Sequence, residues 1–223
     1  MLSAAAFCPH PPLLVPTLAQ GAAAELEDLR SACSAALVEL LGTDPQVVVL
    51  VGGGPEPAAY GHDAVGSLAG YGVDVRAGTG SGAAVLPLPL TIGAWLLDRA
   101  GYQGPRAYAV VPDSGTGGPA PELQRTGWLV LGDASAGRTV AAPGSYDPRS
   151  PGFDAAVAAA LASGDPAALS ALDPDVAREL RVSGVGPWRA LAGAWGSGQA
   201  TARVLYDQAP YGVGYLVATW VRS

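Results

Sequence analysis

The chain has 223 residues, 49% of them apolar, and a net charge of −7. All 12 of its cationic side chains are scattered arginines, which argues against nucleic acid as a partner, and no apolar run approaches the ~18 residues of a membrane span. Because lysine is absent, Schiff-base chemistry, pyridoxal phosphate attachment and a P-loop lysine are excluded. We therefore expect a single domain over residues 1–223. Met1-Leu2-Ser3 lacks the basic start of a signal peptide, so we expect a cytoplasmic location.

The apolar run Ala4–Phe7 predicts a first strand, and the stiff segment from Cys8 to Pro16 follows it directly. His10 is one of two histidines in the chain and lies in this segment. Side chains at the carboxyl end of a strand in an open α/β sheet face the crevice where ligands bind, so His10 is a candidate site residue. Cys8 flanks it and is either functional or a core residue, whereas Cys33 fits a buried position on a helix.

Leucines, alanines and Cys33 recur at helical spacing over residues 23–41, and a strand is predicted at Val47–Val51. Gly52-Gly53-Gly54 follows this strand. The triplet does not match a dinucleotide or triphosphate loop, because Pro55 removes a backbone donor and the lysine is missing. A tight turn that brings Gly53 and Gly54 close to another segment is the better interpretation.

The remaining pattern predicts a weak strand at 73–75, short strands at 107–111 and 128–131, and helices at 90–100, 153–162, 166–172, 174–180 and 187–195. Residues 202–206 and 213–219 suit an antiparallel pair. The sequence thus predicts an α/β fold: a single domain with a mixed, mainly parallel sheet flanked by helices and a C-terminal antiparallel strand pair. Three late tryptophans (Trp188, Trp195 and Trp220) fit either core packing or the surface of a homo-oligomer.

Polar groups follow the apolar strands and would gather at one edge if those strands are parallel. Besides Cys8 and His10, they are Glu56, His62, Asp113, Asp133 and Ser135. Two histidines and one carboxylate form the facial triad that holds non-haem Fe(II). His62 is either the second ligand or a solvated loop residue, and Glu56 is either a ligand or a helix N-terminal charge. A serine hydrolase is unsupported, because no Gly-x-Ser-x-Gly elbow is present.

The segment Cys8-Pro9-His10-Pro11-Pro12-Leu13-Leu14 resembles the first metal-ligand motif in the catalytic subunits of the class III extradiol ring-cleavage dioxygenases. The resemblance continues through residues 47–54, 132–135, 187–195 and 209–215, and is strongest to an actinobacterial branch. It implies an α/β domain with a pocket at one sheet edge, Fe(II) held by two histidines and a glutamate, and a further histidine as acid/base. His10 matches the first ligand.

The other family positions are replaced. Gly53-Gly54 stands where the second histidine is expected, Ala136 where the acid/base histidine completes Gly-Asp-x-Ser-His, and residues 182–184 where the glutamate is expected. One histidine holds a metal weakly. The resemblance therefore predicts a degraded metal centre and a pocket that binds a small, aromatic ligand or supports altered chemistry. The alternatives are an active dioxygenase with a rebuilt Fe(II) or Zn site, and a non-catalytic interaction protein.

Overall fold

The structure is a computed structural model that describes residues 2–112, 125–142 and 145–222. In these ranges it contains nine strands and seven α-helices. The strands are β1 (Leu2–Cys8), β2 (Val47–Gly53), β3 (Ala58–Tyr60), β4 (Gly66–Ser67), β5 (Arg76–Ala77), β6 (Arg106–Val111), β7 (Thr126–Leu131), β8 (Ala200–Gln208) and β9 (Tyr215–Arg222). The helices are α1 (Pro16–Ala19), α2 (Glu27–Gly42), α3 (Leu88–Arg99), α4 (Ser150–Ser163), α5 (Pro166–Ser170), α6 (Pro174–Glu179) and α7 (Val185–Trp195).

Seven of these strands form one sheet in the order β3-β6-β2-β7-β1-β9-β8. The four central strands β6, β2, β7 and β1 are parallel, while β3 at one edge and β9 and β8 at the other run antiparallel to their neighbours. Strands β4 and β5 form a separate two-stranded ribbon. The predicted fold class, including the C-terminal antiparallel pair, is confirmed.

Side chains of the central strands alternate between two hydrophobic cores, as the two-residue period of a strand requires. In β1, Ala4, Ala6 and Cys8 join the core that contains α2 and α3, whereas Ala5 and Phe7 join the core beneath α4 and α7. Both faces are thus covered, which accounts for the nearly unbroken apolar runs of β2 and β7. No helix in the described ranges is long and apolar enough to cross a bilayer.

The late tryptophans belong to the second core. Trp188 is 1% exposed, Trp195 2% and Trp220 0%, so core packing explains all three and they form no surface for an oligomer. The predicted strand at 73–75 is wrong. The left-handed Gly72 turns the chain there, and the ribbon pairs Arg76 and Ala77 with Ser67 and Gly66 instead.

Candidate functional site at the carboxyl edge of the sheet

The carboxyl ends of the four parallel strands meet at one edge of the sheet. Cys8 of β1 is in register with Leu131 of β7, which in turn is in register with Gly52 of β2. The residues that follow these positions are therefore neighbours. The structure brings together His10, the Gly53-Gly54 turn and the loop Asp133–Ser135, as the sequence predicts.

His10 and Asp133 form the polar centre of this edge. One carboxylate oxygen of Asp133, Oδ1, accepts a hydrogen bond of 2.8 Å from the His10 backbone N–H and lies 3.6 Å from His10 Nδ1. The His10 side chain is 10% exposed and that of Asp133 19%. Nδ1 is buried without a hydrogen bond of ordinary length, and Nε2 has no hydrogen-bond partner among the described residues. The carboxylate therefore fixes the loop that carries His10.

Hydrogen bonds with two other segments hold the Asp133 loop. The Asp133 N–H donates to Ser183 Oγ at 2.9 Å, and Gly184 N–H donates to the Asp133 carbonyl at 3.1 Å. Gly214 accepts from Ala134 N–H and donates to the Ser135 carbonyl. The start of α7 and the β8–β9 connection therefore set the position of Asp133 beside His10.

Ser135 faces the protein interior and contacts the carboxylate of Asp154. Its N–H and its hydroxyl each donate to one carboxylate oxygen of Asp154 at 2.9 Å, and both residues are fully buried. Burial raises the pKa of Asp154, while the two bonds from Ser135 and the charge of Arg138 oppose that shift. Ser135 thus anchors the loop. Its side chain does not line the edge, which corrects the prediction that Ser135 is a pocket residue.

The Gly53-Gly54 turn comes close to another segment, as predicted. A Cβ on Gly53 would lie 2.8 Å from the Ser183 carbonyl oxygen, and one on Gly54 would lie 2.5 Å from Val110 Cγ1. A side chain at Gly53 would clash with the backbone just before α7, and one at Gly54 with the Val110 side chain of β6. A histidine here, which the family resemblance implies for the second ligand, would require these neighbours to move.

His62 does not reach His10, which corrects the prediction that the two gather at one edge. Strand β3 runs antiparallel to β6 and carries the chain back, so that His62 Nδ1 accepts a hydrogen bond of 3.2 Å from Arg106 N–H at the amino end of β6. The histidines are separated by four residues along the strands, at about 3.3 Å each, and by three spacings between strands, at about 4.8 Å each. Together these displacements place them roughly 20 Å apart. One ion cannot bind both.

Three other candidates remain: Glu56, Asp113 and Cys8. Glu56 is exposed in the turn between Pro55 and Pro57 that leads into β3, so the prediction of a helix N-terminal charge is wrong. Asp113 lies outside the described residues. The Cys8 thiol is buried in the same core as Cys33, and the neighbouring Cys8 together with burial raises the pKa of Cys33. Cys8 is therefore a core residue.

These placements test whether the described residues fit Fe(II) or Zn. Among residues 2–112, 125–142 and 145–222, no group of three or more His, Cys, Asp or Glu side chains is arranged to hold a metal ion. Of the positions that the resemblance assigns to metal or acid/base groups, only that of His10 holds a metal-binding side chain. The side chains of Gly53, Gly54, Ala136 and Val182 carry no atom that could bind a metal. The described donor set does not fit the metal.

Tyr215 adds a phenol to this neighbourhood. It is 4% exposed, and its pKa is raised first by burial and then by the negative charge of Asp133. Its hydroxyl therefore stays protonated across the ordinary pH range. Sequence reasoning did not single out Tyr215, Ser183 or Asp154, because the contacts that matter join segments far apart in the chain.

Alkaline pH is expected to destabilise the fold through Tyr215 and the other tyrosines whose pKa burial raises, Tyr102, Tyr108, Tyr206 and Tyr211. The pKa of each of these tyrosines is higher in the folded protein than its value of about 10 in the unfolded chain, so the folded state holds the proton more tightly. The resulting stabilisation is complete below a pH of about 10 and is lost as the pH rises above that value. Unfolding by urea followed from pH 8 to about 11 measures the loss. Tyr215→Phe should show a weaker pH dependence than the parent; an unchanged slope would contradict the assignment.

Comparisons with known proteins find a solved structure with a similar fold but identify no family. No model of a protein family matches the chain, and no curated protein matches it in sequence. Among solved structures, the crystal structure of uncharacterized protein JW3007 from Escherichia coli K12 aligns with a TM-score of 0.58 at 16% identity, covering 99% of this chain and 100% of that one. At this identity the likeness shows a shared fold alone.

Proposed function

We propose that the chain is an extradiol-dioxygenase-like protein with a degraded metal centre, which binds a small aromatic molecule at the carboxyl edge of its sheet. The observation that carries the proposal is the His10–Asp133 pair, a largely buried imidazole beside a carboxylate at the edge where α/β sheets bind ligands. The aromatic character of the ligand comes from the resemblance of residues 8–14 to the dioxygenase motif.

The pair suits a ligand that carries an acidic hydroxyl, such as a phenol. His10 Nε2 has no partner among the described residues and can accept a hydrogen bond from the hydroxyl. If the proton moves to the imidazole, the Asp133 carboxylate 3.6 Å from Nδ1 stabilises the resulting charge. The proposed role of the pair is thus to bind and orient a phenolic hydroxyl and to hold its proton.

Thermal unfolding with and without catechol tests the proposal. At a catechol concentration 100 times the Kd, binding stabilises the folded state by about 2.7 kcal/mol, which raises the Tm of a chain this long by about 5–10 °C. We expect this rise in the parent protein and its loss in His10→Ala. His62→Ala is the matched control, because it removes the other histidine at the opposite edge, and it should keep the rise.

The same preparation separates the alternatives. After anaerobic incubation with Fe(II), we expect the protein to contain no stoichiometric iron. We then expect no turnover when oxygen uptake is measured with catechol. Stoichiometric iron and oxygen uptake that both disappear in His10→Ala would overturn the degraded centre in favour of an active dioxygenase. No Tm change with catechol or its ring-substituted analogues would overturn the ligand and favour an interaction protein.

A further inference from the structure

A groove lies beside the carboxyl edge, between the Gly53-Gly54 turn and the segment that joins α6 to α7. Its volume is about 350 Å³, within the range of small-molecule pockets. Its described lining includes Gly53, Gly54, Ser183, Arg178 and Arg181. No carboxylate is among the described lining residues, and since Arg178 pairs with Asp175, Arg181 supplies the unpaired positive charge of the groove.

Arg181 is the one arginine of the 12 whose side chain makes no hydrogen bond, ion pair or ring contact to the residues that the structure describes. Seven others contact a carboxylate: Arg30, Arg106, Arg125, Arg138, Arg149, Arg178 and Arg203. The remaining four contact a backbone carbonyl or an aromatic ring: Arg76, Arg99, Arg189 and Arg222. Of the two arginines that line the groove, Arg178 pairs with Asp175, whereas the guanidinium of the exposed Arg181 has no protein partner among the described residues.

The backbone at Arg181 favours glycine rather than arginine. Its φ is 56°, in the left-handed region, directly after the end of α6. Val182 N–H donates to the Ala177 carbonyl and Arg181 N–H to that of Arg178, which is the Schellman pattern. Glycine is the usual residue at this position, because a Cβ is strained there. The arginine therefore occupies this position at a conformational cost.

We propose that this groove binds a small molecule through an oxyanion, a carboxylate or a phosphate, and that the guanidinium of Arg181 is its anchor. Arginine presents a planar fork of N–H donors that matches both groups. A second cavity of about 200 Å³ also borders Arg181 and contains the buried hydroxyl of Ser150, which has no hydrogen-bond partner. The proposal places the anion in the groove and not in this cavity, because Asp147 and Glu179 border the cavity.

Calorimetric titration of the full chain with sodium benzoate and, separately, with inorganic phosphate tests the proposal. We expect saturable binding of at least one, weakened at least tenfold in Arg181→Gly and largely kept in Arg181→Lys. Tighter benzoate binding identifies an organic carboxylate as the ligand, and tighter phosphate binding a phosphate. Because glycine suits the left-handed backbone, Arg181→Gly should melt at the same temperature as the parent or higher, so lost binding cannot reflect unfolding.

Two controls keep the proposal open to contradiction. Arg125→Ala removes an exposed arginine that pairs with Asp44 far from the groove, and should leave the titration unchanged. Ser150→Ala should also leave it unchanged; loss of binding there would move the anion into the second cavity and overturn the proposal. No binding in the parent, equal binding in Arg181→Gly, or a lower Tm in that variant would overturn it as well. None of these results depends on whether catechol binds at His10.

Discussion

Replacing Asp154 with alanine is expected to lower the free energy of unfolding by about 3–5 kcal/mol, the usual cost of removing one partner from a buried charged pair. Asp154 is fully buried, and the change leaves the N–H and the hydroxyl of Ser135 without acceptors in the interior. It also removes the carboxylate 3.8 Å from the Arg138 guanidinium. Urea unfolding at pH 7 measures the difference.

The control for this prediction is Asp207→Ala. Asp207 also pairs with Arg138, but its side chain is 32% exposed and solvent screens the pair, so we expect a loss below about 1 kcal/mol. Asp154→Asn keeps an acceptor for one of the two Ser135 bonds and should fall between the two alanine variants. Equal losses in Asp154→Ala and Asp207→Ala would show that the Ser135 bonds do not anchor the loop that carries Asp133.

Replacing Trp220 with alanine is expected to cost about 4 kcal/mol, within the range for large aromatic side chains in cores. The ring is fully buried in β9 and meets Phe7 and Trp195 edge to face, at centroid distances of 5.4 and 5.5 Å. Its indole N–H donates to the Leu161 carbonyl at 2.7 Å. For a chain of this length the change should lower the Tm by about 8–16 °C, measurable by circular dichroism.

Trp220→Phe separates the packing of the ring from its hydrogen bond. It keeps an aromatic ring between Phe7 and Trp195 but leaves the buried Leu161 carbonyl without its donor, so we expect a loss of roughly 1–3 kcal/mol. A loss as large as that of the alanine variant would show that the hydrogen bond dominates. A loss near zero in both variants would contradict the description of the second core.

The periodic elements could be predicted from the sequence, and the short irregular ones could not. The predicted helix at 23–41 corresponds to a short 3-10 segment followed by α2, because its apolar residues recur every three or four positions. Strand β3 was missed, since Ala58–Tyr60 lies among prolines and glycines and pairs with β6 only through tertiary structure. Strands of two residues, such as β4 and β5, leave too little pattern to detect.

The same distinction applies to the candidate site. His10, Gly53, Gly54 and Asp133 could be placed together because parallel strands end at the same edge. The error over His62 arose because one short antiparallel strand reverses the chain, and nothing in the residues around it indicates that reversal. The hydrogen bonds of Asp133 to Ser183 and of Ser135 to Asp154 span 50 and 19 residues, and no local motif announces them.

The order of strands in the sheet also bears on how the chain folds as it is made. Strand β1 is synthesised before the strands that flank it, β7 and β9, and His10 is 123 residues from Asp133. At about 5–20 residues per second, the ribosome needs roughly 6–25 s to reach that partner. During this interval the apolar segment Leu2–Cys8 has no strand to pair with. A chaperone that shields this segment would then have more effect on the yield of folded protein than on its final stability.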